Sequence, residues 1–146
     1  MPTSRRLATL LLALLVLAGC SGGSSKPEAP KVDPKIAVTT AWESFFNAAG
    51  TVDAHVALLE DGSTFKSQLT AAAASPDSKG LSAKVVTVSV TSTSALVTYN
   101  LLKNGAALLT NATGTAVEDH GVWKVSKITY CQLARLQTGK PVAGCA

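Results

Sequence analysis

The sequence predicts an α+β domain in which N-terminal helices pack on one face of a curved antiparallel sheet of about four strands. In the first half of the domain, apolar residues recur every three or four positions, as they do on one face of a helix. From Leu81 onward they alternate with polar residues, as they do along a half-buried strand. Asn104-Gly105 favours a two-residue hairpin turn between antiparallel strands. Helices followed by hairpin strands are typical of the α+β class.

Residues 1–19 are predicted to be a lipoprotein signal peptide and do not enter the fold. Arg5 and Arg6 supply its basic start, residues 7–17 are almost wholly apolar, and Leu17-Ala18-Gly19-Cys20 matches a bacterial lipobox. The apolar run is shorter than the roughly 20 residues that span a membrane. We therefore expect cleavage before Cys20 and a diacylglyceryl group on its sulfur, with palmitate among the acyl chains. The protein would then be held on the extracytoplasmic face of the cell membrane.

Two alternatives stay open for this leader. It could be an ordinary secretory peptide followed by a chance cysteine. Because Ser4-Arg5-Arg6 also resembles part of a twin-arginine signal, export by the Sec route or by the twin-arginine route stays open.

Residues 20–33 are interpreted as the lipidated cysteine and a flexible tether. The segment is rich in Ser and Gly and then in Pro and Lys, and it has no apolar face to bury. Residues 34–146 are long enough for one domain and no more.

Three helices are predicted in the first half of this domain. Asp33 is a suitable N-cap and Pro34 a suitable first helical residue. The apolar stripe of the first helix, which Gly50 ends, consists of Val38, Trp42, Phe45 and Ala49. A second helix is predicted over residues 52–60. A third begins with Ser63 as its N-cap and ends at Ser75-Pro76.

The second half is predicted to form four strands, over residues 81–91, 95–101, 106–118 and 122–130. Val86, Val88 and Val90 define the apolar face of the first strand. Gly114 in the third strand indicates a bulge or a bend. One or two helical turns around Leu136, ended by Gly139, are expected to follow.

Cys131 and Cys145 are predicted to form a disulfide. They are the two cysteines left once Cys20 carries lipid, and the domain would face an oxidising compartment. A metal or redox pair is the alternative, but the spacing is not Cys-x-x-Cys and no histidine lies nearby in the sequence. The bridge would close a loop of about 15 residues and hold the C-terminal segment in place.

The charges argue against a nucleic-acid partner. Without Arg5 and Arg6, 11 Lys and Arg residues remain against nine Asp and Glu residues. They are scattered, with no basic run and no interleaved aromatic residues.

Three segments carry a resemblance to the mycobacterial low-molecular-weight secreted antigen family. They are the Trp-x-x-Phe-Phe opening (Trp42, Phe45 and Phe46), Val56-Ala-Leu-Leu-Glu-Asp-Gly62, and Gly121-Val-Trp-Lys-Val-Ser126. The similarity runs over residues 37–137. It implies a cone-shaped, cystatin-like or nuclear-transport-factor-2-like fold and a secreted protein without assigned chemistry. This chain departs from the family in its lipobox and its cysteine pair.

Because cone folds often enclose a pocket, six side chains are candidates to line one: Trp42, Phe46, Asp53, His55, Tyr99 and Trp123. The aromatic members have an alternative role as core residues, and the histidine as a surface residue.

The search for catalytic chemistry leaves no candidate set. No Asp or Glu lies between Asp77 and Glu118, so the first three strands offer no interior carboxylate before Glu118. The other acids fall on helices and turns, and the two histidines are too few for a metal site. No nucleophile motif or phosphate-binding loop is present. We expect no catalytic residue, metal or cofactor.

The leading hypothesis is therefore a membrane-anchored lipoprotein with a non-catalytic domain that binds a small apolar ligand or an envelope protein. A related hypothesis is an interaction module that presents the domain to an enzyme partner. The alternative is a cone-fold isomerase or hydrolase acting on a small hydrophobic substrate. Such an enzyme would need Asp53, His55 and Tyr99 together in a pocket.

Overall fold

A computed structural model describes residues 31–145. The predicted signal peptide, Cys20 and most of the predicted tether lie outside the described residues. Within residues 31–145, no helix is long and apolar enough to cross a membrane.

Helix α1 (Pro34–Phe45) begins as the sequence predicts. The Lys35 N–H donates to the Asp33 side chain at 2.8 Å, and Pro34 occupies the first turn. The buried face consists of Val38, Ala41, Trp42 and Phe45. The predicted last turn is wrong: the helix ends at Phe45 and Ala49 is exposed. There the Asn47 side chain accepts from the Ala49 N–H at 3.0 Å and stabilises a turn instead.

Helix α2 (Val52–Ala57) is shorter than predicted because the residues after it pair with a strand. The Glu60 N–H donates to the Val125 carbonyl at 2.9 Å, and the Val125 N–H donates to the Leu58 carbonyl at 2.8 Å. These bonds form a parallel bridge between Leu59 and Val125, which draws the chain out of the helix. A 3₁₀ turn (Gly62–Phe65) then precedes α3 (Lys66–Ala74), so α3 begins later than predicted from Ser63.

Four antiparallel strands follow in the order β1-β2-β3-β4: β1 (Leu81–Thr91), β2 (Ser94–Lys103), β3 (Ala106–Asp119) and β4 (Val122–Val125). A second 3₁₀ turn (Pro76–Ser78) links α3 to the sheet. Helix α1 contacts both edge strands, β1 and β4. The sheet is curved, and α1 lies across its concave face from one edge strand to the other.

Two predictions about the strands are wrong in detail. Val86 lies in a β-bulge, where the register skips from Val85 to Thr87, and it is half exposed instead of facing the core. The bulge changes the alternation of β1, so that four residues on its two sides are less exposed than their neighbours: Ala83, Val85, Val88 and Val90. Gly114 pairs regularly with Val97, and the register shifts of β3 lie nearer its start, before Ala112.

The predicted fourth strand is too long. It ends at Val125, and the chain continues as α4 (Lys127–Thr138). Ser126 is the N-cap, and its Oγ accepts from the Thr129 N–H at 3.2 Å. Glu60 Oε2 accepts from the Lys127 N–H at 2.8 Å. These two acceptors satisfy N–H groups that a helix start leaves free, which is why a helix begins here.

Candidate functional site

The aromatic candidates for the predicted pocket lie in the hydrophobic core. Trp42 and Tyr99 are each 1% exposed, and their ring centroids are 5.1 Å apart. Phe46 stacks on Tyr99 at 5.6 Å, and Trp123 is buried on β4. The concave side of the sheet is therefore filled by the protein's own rings at these positions, which matches the alternative role of these residues.

The core includes the polar indole N–H of Trp42 and the polar hydroxyl of Tyr99. The Trp42 Nε1–H is buried and has no hydrogen-bond partner among the described residues. Burial raises the pKa of Tyr99 because it disfavours the charged phenolate. Tyr99 therefore stays protonated at pH values at which free tyrosine would begin to ionise.

Asp53 and His55 do not join these rings. The Asp53 side chain is 82% exposed and pairs with the Lys66 ammonium at 2.9 Å. His55 lies against the edge of the Phe45 ring and its Nε2 is 3.1 Å from the Asn47 carbonyl oxygen. In the described part of the chain, neither side chain has a hydrogen bond or ring contact with Tyr99. The trio that the enzyme alternative requires is not assembled.

Two other acidic side chains hold the backbone of distant elements. Glu43 on α1 accepts from the Val85 N–H at 3.1 Å, beside the bulge of β1. Glu60 caps α4 from 67 residues earlier in the sequence. Neither role was predicted, because the sequence does not show which backbone groups a distant carboxylate will meet.

Asp119 lies at the last hairpin. The hydrogen bond from Lys124 at 2.7 Å, together with a second from His120, lowers the pKa of Asp119. Within residues 31–145, no three His, Cys, Asp or Glu side chains converge in a way that could hold a metal ion.

A cleft of about 480 Å³ lies at the C-terminal end of the domain. One wall is a face of α4 and the other is the tail that follows it. The lining residues are Lys127, Ile128, Cys131, Gln132, Arg135, Pro141, Val142 and Cys145. We call this feature the α4 cleft. Its volume lies in the range of small-ligand sites.

The predicted disulfide is part of the lining of this cleft. Cys131 on α4 is bonded to Cys145, with their Cα atoms 5.6 Å apart. The tail is also held by a hydrogen bond of 3.1 Å from the Gln68 side chain to the Ala143 carbonyl. Without these links the last residues would be free to fray, and the cleft would lose a wall.

Sequence reasoning missed the α4 cleft because it placed a strand where α4 begins. The cationic character of this region could nonetheless be seen in the sequence. After Asp119 the chain contains no Asp or Glu but has Lys124, Lys127, Arg135 and Lys140.

These features define a small α+β domain with an aromatic core, a disulfide-bound tail and a surface cleft. The family model of the low molecular weight antigen MTB12, C-terminal domain, matches residues 31–141. The match covers most of the chain, and the protein belongs to this family. It confirms the family predicted from the motifs around Trp42 and Trp123. No curated protein and no solved structure matches the chain significantly, so the relation to a cone fold stays a prediction.

Proposed function

We propose that this protein is a lipid-anchored extracytoplasmic lipoprotein whose domain binds its ligand or partner without catalysing a reaction. The observation that carries the anchor is Leu17-Ala18-Gly19-Cys20, placed directly after the apolar run of residues 7–17. A single acyl chain gives only marginal membrane binding, so stable anchoring would come from the several chains that lipoprotein processing adds at Cys20.

The tether supports the same proposal. Residues 20–33, if fully extended, would reach about 45 Å, and as a flexible coil would average roughly 20 Å. Either length lets the folded domain stand clear of the lipid headgroups while it remains attached to Cys20.

The disulfide supports an extracytoplasmic location. Disulfides persist in oxidising compartments and are rare in the bacterial cytosol. Cys131–Cys145 holds the tail onto α4, which would help a small domain to persist outside the cell.

A binding role is favoured by the distribution of ionisable groups. A catalytic acid or base needs a position in a site and a pKa suited to its task. Glu43 and Glu60 instead hold backbone N–H groups, and Asp53 and Asp119 pair with surface lysines. The α4 cleft is the feature we propose as the binding surface. No specific observation favours the isomerase or hydrolase alternative.

The anchor is tested by labelling the growing cells with a palmitate analogue and separating membrane from medium. The wild-type protein should be labelled and remain with the membrane. Cys20→Ala should lose the label, whereas Ser21→Ala, a matched change one residue later, should keep it. Label on Cys20→Ala equal to the wild-type label would show that the anchor proposal is wrong.

The binding role is tested on the protein purified from its native membrane. Native mass spectrometry or crosslinking should recover a bound molecule or a neighbouring protein that contacts the α4 cleft. Ligands or crosslinks that map only to other surfaces would contradict this choice of binding surface.

A further inference from the structure

The α4 cleft has an apolar floor. Ile128, Pro141 and Val142 line it together with the disulfide-bonded Cys131 and Cys145. Ile128 is 69% exposed, so a ligand in the cleft could still cover most of this side chain. The cleft therefore offers a short apolar track between α4 and the tail.

The charged groups at the cleft are all cationic. No Asp or Glu lines it. Lys127, at one end, lies 4.0 Å from the Asp61 carboxylate and is partly neutralised. Arg135, two turns further along α4, has no ion pair among the described residues. The cleft thus combines an apolar track with one unpaired guanidinium.

We propose that the α4 cleft binds a single-chain amphiphilic anion, with an acyl chain along the track and a carboxylate on Arg135. This inference rests on the proposed binding role and specifies its ligand class. Arginine suits the carboxylate because the planar guanidinium donates two parallel hydrogen bonds to its oxygens. The acyl chain would cover the exposed side of Ile128 and remove that apolar surface from water.

The disulfide makes this site dependent on the tail. Pro141 and Val142 belong to the segment that the Cys131–Cys145 bond closes. If the bond is reduced, the segment is held only through weaker contacts such as the Gln68 hydrogen bond. Reduction should therefore weaken ligand binding as well as lower stability.

The test uses dodecanoate, below its micelle concentration, as the probe in isothermal titration calorimetry. The protein is the chain from residue 20 onward carrying Cys20→Ser, so that the chain's own lipid cannot compete. We expect saturable binding at one site, with affinity rising about two- to fourfold for each CH₂ added while the chain stays within the cleft. Dodecyltrimethylammonium, which has a similar chain and a positive head, should bind more weakly.

Two pairs of variants locate the site. Arg135→Gln should weaken dodecanoate binding about two- to fivefold, whereas Lys140→Gln, a nearby cation that does not line the cleft, should not. Ile128→Ser should weaken it to a similar degree, whereas Leu136→Ser, at a 77% exposed position on the same helix, should not. All four positions are exposed, so the variants should fold, which circular dichroism checks.

Three results would overturn the inference: no saturable dodecanoate binding, equal effects within each pair of variants, or binding to anionic vesicles without binding to dodecanoate monomers. These results are independent of the anchor. A palmitate label that depends on Cys20, without dodecanoate binding, would retain the anchored lipoprotein and remove only this ligand class. A different molecule recovered from the α4 cleft would likewise retain the binding role.

Discussion

Gly114 on β3 lies against Trp42 of α1 and Thr129 of α4. A Cβ atom built at this position would be 2.7 Å from the Trp42 ring and 2.7 Å from the Thr129 methyl group. Both partners are buried, so neither can move away freely. Gly114→Ala should therefore strain the core. Strain of this kind typically costs about 1 to 3 kcal/mol.

The same substitution also has a stabilising effect, which is smaller than the strain. Replacing glycine by alanine where φ is ordinary usually stabilises by roughly 0.4 to 1 kcal/mol, because the unfolded chain loses freedom. Gly114 has no positive φ, so this gain applies. Because the added atom would be 2.7 Å from two buried groups, the strain should lie in the upper part of its range, and the net loss should be about 1 to 2 kcal/mol. That loss would lower the urea midpoint by about 0.5 to 1 M with an unchanged slope.

A second substitution tests whether contact with the Thr129 methyl group causes this loss of stability. Thr129→Ser removes the methyl group but keeps the hydroxyl, which accepts from the Thr115 N–H at 2.8 Å. Combined with Gly114→Ala it should recover at least about 0.5 kcal/mol relative to the sum of the two single changes. Thr113→Ala, one residue away and exposed, is the control and should cost less than about 1 kcal/mol. A Gly114→Ala variant as stable as the wild type would refute the packing argument.

Three further predictions concern the disulfide, the α4 cap and the tyrosines. Cys131→Ser should cost about 3 kcal/mol, since the bond closes a loop with a sequence separation of 14; thermal unfolding unchanged by the substitution would contradict this. Glu60→Ala should cost about 1 kcal/mol in urea unfolding, because a helix N–H loses its acceptor, and Glu60→Gln should cost less; equal losses would contradict the capping role. Burial raises the pKa of both Tyr99 and Tyr130, so above a pH of about 10 the tyrosines of the unfolded chain ionise before those of the folded domain. Stability should therefore fall as the pH rises above that value, and phenolate absorbance should appear at a higher pH in the folded domain than in the urea-unfolded chain; phenolate appearing at the same pH in both would contradict the burial.

Local signals in the sequence predicted much of the fold. The cap at Asp33, the stripe through Trp42 and the turn at Asn104-Gly105 depend on residues that are close in the chain, and the structure contains the corresponding helix and hairpin. The α+β class followed from the order of these elements, and the disulfide followed from the cysteine count.

The predictions were wrong where residues that are distant in the sequence determine the local structure. The pairing of Leu59 with Val125 shortens α2, and Glu60 beside it caps α4 where the predicted fourth strand would have continued. Neither contact can be inferred from the residues that are close in the chain. Val86 alternates correctly with Val88 and Val90, but a bulge exposes it. Alternation cannot reveal a bulge when every residue of the series is apolar.

The site was harder to predict than the fold. An aromatic residue that lines a pocket and one that fills a core have the same sequence pattern, and Tyr99 and Trp42 lie in the core. The α4 cleft depends on a helix that was predicted too short and on a tail held by the disulfide. Its absence of acids, in contrast, could be seen in the sequence.

The intact mass of the protein purified from its native membrane tests the central claim most directly. The anchored lipoprotein should begin at Cys20, carry a diacylglyceryl group on that residue, and lack two hydrogen atoms because Cys131 and Cys145 are joined. A chain that keeps residues 1–19, or one that is cleaved elsewhere and carries no lipid on Cys20, would contradict the account.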